Sequence, residues 1–157
     1  MKIFYYCYGS AHSSVVAACI HLGILPTDRL PSAEEFKRLP HYDKTDSYEI
    51  GTPFFMGIDE YGAEIFITGM TGERQLVKKA IYSFLKKCGI DVNDLMMVNA
   101  LNNVNLKTKI GGFISRRLGL VKIGRPLTIK GIQEKYAGFV TLVENTKREE
   151  RKRLNKT

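Results

Sequence analysis

The chain predicts an α/β fold with helices on both faces of a mostly parallel sheet, and three observations carry the expectation. Short β-branched or aromatic runs alternate with stretches of helical period. The first run, Lys2 to Tyr8, lacks polar alternation, as a strand covered on both faces does. It then passes through a small-residue turn into a helix that is apolar almost all round. The expected architecture is a three-layer sandwich, Rossmann-like or P-loop-like, with a β-hairpin insertion. It occupies one domain over residues 1–146, followed by a charged, frayed tail over 147–157.

In order, the strand Lys2–Tyr8 leads through Gly9-Ser10-Ala11-His12-Ser13-Ser14 into a helix from Val15 to Leu22, capped by Gly23. Ser32 and Glu35 have capping-box spacing and start a short helix carrying Phe36 and Leu39. The stretch from His41 to Asp46 reads as a polar, exposed connection. Pro53–Ile58 and Glu64–Thr68 read as a hairpin around a glycine-containing loop. From Glu73 to Cys88 the period is helical, with Cys88 on the apolar face among core residues. Leu95–Val98 reads as a central strand ending in an asparagine-rich loop, where Asx turns compete with ligand binding by Asn99. Residues 105–118 predict a helix. Gly111-Gly112 inside it cost about 1–2 kcal/mol of propensity relative to alanine, which points to a close crossing or a simple break. Val121–Ile129 reads as a last strand interrupted by Gly124-Arg125-Pro126, with helix resuming at Gly131.

Of 157 residues, 44% are hydrophobic and 25% charged, ordinary values for a soluble globular protein. No apolar run approaches the roughly 20 residues that span a bilayer, and no signal peptide is read, so a cytoplasmic location and no membrane partner are expected. Three widely spaced cysteines, Cys7, Cys19 and Cys88, read as reduced thiols. Together with scattered histidines they show no metal-ligand spacing, and no metal or cofactor is assigned. Charge is uneven: residues 1–69 hold five Lys/Arg against nine Asp/Glu, a net of −4, and residues 70–157 hold nineteen against seven, a net of +12. Such a basic half suits phosphate-bearing ligands or nucleic acid, and equally a solvated exterior.

The turn from Gly9 to Ser14 concentrates the chemistry. A strand end followed by a helix start presents unpaired N–H groups and the positive end of the helix dipole. Ser10, Ser13 and Ser14 add hydroxyls, and Gly9 lets an anion approach the backbone. The turn is not a Walker loop, because it contains no lysine, nor a dinucleotide fingerprint, because the second and third glycines are missing. A Cys-x5-Arg phosphatase pattern fails at Ser13, where the arginine should stand. The cysteine-type phosphocarrier subunits of sugar transport are closer: Cys7, Gly9, Ser13 and Ser14 resemble their strand-one cysteine and hydroxyl-rich loop. A buried strand cysteine is the competing reading of Cys7. At the helix start His12 favours its neutral form, suited to donating to a phosphate or shuttling a proton. Arg116 and Arg125, in the densest basic patch outside the tail, supply charge. Aromatics are not interleaved with that patch, and no nucleic-acid-binding signature is visible.

Over most of its length the chain also resembles a family. Tyr5 to Ser14, Met56-Gly57-Ile58-Asp59-Glu60-Tyr61-Gly62 and Gly111 to Leu120 with Gly124-Arg125-Pro126 are similar to a small group of uncharacterised proteins, a domain of unknown function, from spore-forming Gram-positive bacteria. The resemblance implies a bacterial cytoplasmic protein and carries no catalytic role. One departure is Ser10, where the family pattern implies a second glycine.

The leading expectation is a protein that binds a phosphorylated small molecule or nucleotide at the turn. Backbone amides, Gly9, Ser10, Ser13 and Ser14 would hold phosphate, His12 and Cys7 are the reactive candidates, and Asn99, Arg116 and Arg125 complete the site. Phosphoryl transfer and binding without turnover are both open. The alternatives are a nucleic-acid or regulatory binder using the basic half, and a phosphocysteine carrier through Cys7.

Overall fold

A computed structural model describes residues 1–103, 105–117 and 120–155, apart from the side chains of residues 47, 102, 103, 106, 116 and 117. Within it one sheet of four strands has the order β2-β3-β1-β4. Central strand β1 (Lys2–Cys7) runs parallel to β3 (Glu64–Gly69) on one side and to β4 (Leu95–Asn99) on the other. Strand β2 (Phe54–Ile58) pairs antiparallel with β3, with a register shift between Phe55 and Gly57.

Alternation along β1 explains why both faces are covered. Ile3 and Tyr5 join Ile65, Ile67 and Met96 in the larger core, against helices α1 (Ser13–His21) and α6 (Tyr136–Leu154). Phe4 and Tyr6 point the other way, to Met97 and to Val77, Ile81 and Leu85 of α3 (Arg74–Lys87). Every residue of α1 is buried, as its all-round apolar sequence requires. Ser32 caps α2 (Ala33–Arg38) with the full reciprocal capping box.

Helices α4 (Leu106–Arg117) and α5 (Val121–Gln133) pack backbone to backbone. A Cβ on Gly111 would lie 2.7 Å from the Thr128 nitrogen, and one on Gly124 would lie 2.5 Å from the Gly111 carbonyl oxygen. The glycine pair therefore marks a close crossing, and Gly111 is the residue that makes it.

The same crossing overturns the strand expected over Val121–Ile129, which is helical throughout. Its β-branched residues favour strand and Pro126 disfavours a helix interior, but Gly124, Thr128, Ile129 and Ile132 recur on one face and are buried there. Packing outweighs propensity. With no strand following it among the described residues, β4 stands at the sheet edge instead of the centre. Cys88 is exposed and not core, because α3 lies loosely on its face and none of its residues is fully buried. Residues 147–154, expected to fray, continue α6, and Glu150 within them is fully buried. Among the described residues no helix is long and apolar enough to cross a membrane.

Candidate functional site

The carboxyl ends of β1 and β3 meet where the β1–α1 turn begins. Cys7 is in register with Gly69, and a Cβ on Gly69 would lie 3.0 Å from Gly9 Cα. The tight contact in this turn thus falls on Gly69, while Gly9 itself has open space around it. Backbone bonds from Met70 to Cys7 O (2.9 Å) and from Thr71 to Tyr8 O (3.0 Å) pin the turn to the end of β3. Ser10 takes a left-handed conformation, φ 56°, a region that glycine enters without strain. Its hydroxyl is buried and has no hydrogen-bond partner among the described residues.

His12 is the N-cap residue of α1, so Ser13 and Ser14 are its first two helical residues, both buried. The imidazole reaches Asp43: Nε2 donates to Oδ1 at 3.3 Å. Asp43 also accepts from the Ser115 hydroxyl, at 2.6 Å to Oδ1 and 2.7 Å to Oδ2, and from Arg125 Nε at 3.1 Å. Its side chain has no solvent exposure, against 12% for His12 and 31% for Arg125. Burial works to raise the Asp43 pKa, but the hydrogen bonds from His12, Ser115 and Arg125 bring it below the usual value. Tyr42 lies edge-on to the His12 ring at 5.3 Å and donates to Thr128 Oγ1 at 3.2 Å.

The segment 41–46, expected to be exposed, is in fact packed into the turn. Tyr42, Asp43 and Thr45 are buried, the Asp43 amide donates to Ala11 O at 2.9 Å, and the Thr45 hydroxyl donates to Gly9 O at 3.0 Å. Polar residue types suggested surface there, and Lys44 and Asp46 are indeed exposed, but the buried polar groups of Tyr42, Asp43 and Thr45 bond to the turn and to α4 and α5. Asp43 and Ser115 are the functional-type residues that sequence reasoning missed.

Of the other candidates, the Cys7 thiol is buried and lies 3.1 Å from the Ser14 hydroxyl. Asn99 ends β4 opposite Tyr6, and its Oδ1 accepts from the Leu101 amide at 3.0 Å, an Asx turn. Arg125 reaches the cluster; the Arg116 side chain lies outside the described residues.

A second histidine cluster sits at the other end of α1. His21, the last residue of that helix, is fully buried. Its Nδ1 is 2.7 Å from the Tyr5 hydroxyl, and its Nε2 is 2.9 Å from Asp59 Oδ2 and 3.6 Å from Glu150 Oε2. Asp59 holds the β2–β3 connection, its Oδ1 accepting from the Tyr61 and Ala63 amides at 2.9 Å each. Both Glu150 oxygens are buried with no hydrogen-bond partner among the described residues. Burial, reinforced by neighbouring Asp59, pushes the Glu150 carboxyl up to about 8. Burial lowers the His21 pKa, against the opposing effect of Asp59.

A family model described as "Protein of unknown function (DUF3189)" matches residues 2–148, and the chain belongs to that family. The matched stretch contains the turn, Asp43, Ser115, Arg125, His21 and Asp59, and ends two residues before Glu150. Comparison with curated proteins and with solved structures gave no match.

Proposed function

We propose that the β1–α1 turn binds a phosphorylated small molecule or a nucleotide, with His12 placed to exchange a proton with the bound phosphate. Ser10 is the observation that carries the reading. A serine held left-handed with a buried, unpartnered hydroxyl combines two costs, about 1 kcal/mol of backbone strain and about 1–3 kcal/mol for the missing hydrogen bond. A bound anion accepting from that hydroxyl would offset the second. The first N–H groups of α1 have no acceptor within the helix and carry the positive end of its dipole.

Asp43 gives His12 its orientation. With Nε2–H donating to the carboxylate, Nδ1 is the ring nitrogen left to take or return a proton, the geometry of an acid–base pair. Phosphoryl transfer is the reaction this arrangement would serve. Arg125 answers the charge of Asp43, so the net field at the turn comes chiefly from the helix start. The finer fold reading, a three-layer Rossmann-like or P-loop-like sandwich with β2–β3 as an inserted hairpin, is supported by helices on both sheet faces and by a site at the strands' carboxyl edge.

The nucleic-acid alternative has less support. Lys147 and Arg153, on the basic stretch of α6, are engaged with Glu60 and Glu149. A carrier role for Cys7 would require its buried thiol to leave Ser14. Thermal unfolding with inorganic phosphate, nucleotides and sugar phosphates tests the proposal. A ligand at a hundred times its Kd adds about 2.7 kcal/mol, and the shift should shrink in His12→Ala and Ser13→Ala. A shift that survives both substitutions, or none with any phosphorylated compound, overturns it.

A further inference from the structure

We propose that His21, Asp59 and Glu150 form a structural binding site for one divalent cation of the zinc class, which fastens the β2–β3 connection and α6 to the end of α1. One ligand atom from each residue can be chosen so that all lie within 4.8 Å of one another. Ligands about 2.0–2.2 Å from zinc stand roughly 3.4 Å apart in a tetrahedron, close to the 2.9 and 3.6 Å measured from His21 Nε2 to the two carboxylates. The three residues come from separate elements, so a cation between them acts as a cross-link.

Glu150 is the independent sign of a missing partner. Its side chain has no exposure, and among the described residues neither oxygen accepts from an N–H or O–H donor; the group in bonding reach beside His21 is Asp59, itself a carboxylate. A buried, unpaired carboxylate is among the costliest groups to retain in a fold. Lys147, three residues earlier on its own helix, is engaged instead by Glu60 at 2.7 and 2.9 Å. Asp59 keeps Oδ1 for two backbone amides and offers Oδ2 inward. Nε2, Oδ2 and one Glu150 oxygen then supply three donors at that spacing, and the second Glu150 oxygen can close the site by chelation at the shorter bite of a single carboxylate.

The outer shell fits the same ligand. A metal-bound imidazole donates its other ring N–H to a fixed acceptor. Here His21 Nδ1 faces the Tyr5 hydroxyl at 2.7 Å, and the Thr146 hydroxyl beside it already donates to Leu142 O at 2.8 Å, leaving its oxygen to accept from Tyr5. An imidazole with two carboxylates favours zinc and related transition cations over magnesium or calcium, which prefer oxygen alone.

Chelator-stripped full-length protein should be titrated calorimetrically with zinc, manganese, magnesium and calcium chlorides. The expected result is one zinc per chain, bound more tightly than magnesium or calcium, with a rise in Tm. Binding should weaken at least ten-fold in Glu150→Gln and in Asp59→Asn, the latter keeping an oxygen for its two amides. Cobalt should give the visible absorption of a four-coordinate nitrogen–oxygen site without a thiolate charge-transfer band, a readout on the wild-type chain should either variant misfold. No zinc uptake, equal affinity in wild type and both variants, or a thiolate band overturns the assignment. In the first case the two carboxylates share a proton instead. None of these readouts depends on phosphate at the β1–α1 turn.

Discussion

Helix α1 has a histidine–acid cluster at each of its two ends, and the two are solved in opposite ways. At its start, His12 meets one carboxylate whose oxygens are bonded by Ser115 and Arg125. At its end, His21 meets two carboxylates, one of them with both oxygens unpartnered among the described residues. The first cluster is closed around Asp43 and leaves the imidazole partly accessible; the second is sealed and short of positive charge. A cluster complete within the protein holds a side chain ready for an outside ligand, while an incomplete buried one asks for an internal partner. The turn at the start of α1 has its own incomplete group, Ser10, and that is where an external anion fits.

Breaking the closed cluster should have the largest effect. Asp43→Ala leaves Arg125, Ser115 and His12 without their shared acceptor and should cost about 3 kcal/mol, read as a lower urea midpoint, with the His21 ring resonances unmoved. Next comes the platform behind it. Gly124→Ala places a Cβ 2.5 Å from the Gly111 carbonyl and from the Ser115 nitrogen, so α5 must move off α4. A loss of about 1–3 kcal/mol is expected, with His12 resonances shifted and those of His21 unchanged.

The pH dependence separates Asp43 further. Its folded pKa lies below the usual aspartate value, so its contribution is complete above about pH 4 and is lost as pH falls through the folded value. The stability difference between wild type and Asp43→Asn should therefore shrink below that pH. Smallest is Ser10→Gly, which relieves the left-handed strain and removes the unpaired hydroxyl, largely offset by glycine's greater freedom in the unfolded chain, for a net gain of about 0.5–1 kcal/mol, while weakening any response to phosphate.

What the sequence made legible follows the same division. Local signals were readable: the strand-turn-helix around Gly9, the box of Ser32 and Glu35, and Gly23 in the left-handed region after α1. The glycine expected at position 10 also has its reason, since the backbone there is left-handed. Asp43, Ser115 and Glu150 were not readable, because each meets its partner across 31 to 129 residues of chain and no spacing encodes such a meeting. Residues 121–129 misled because their β-branched composition is local, whereas the glycine contacts that make them helical reach across to α4. Glu150 sat in a charged run whose neighbours are exposed, and only the fold turns that one position inward.

The central claim is that a phosphate group binds at the start of α1. Amide and imidazole resonances followed while inorganic phosphate and then a nucleotide are added test it most directly. The account predicts saturable shifts at residues 9 to 14 and at the His12 ring, with His21 and the basic end of α6 silent. Shifts confined to residues 147–154, or none in the turn at saturating ligand, would contradict it.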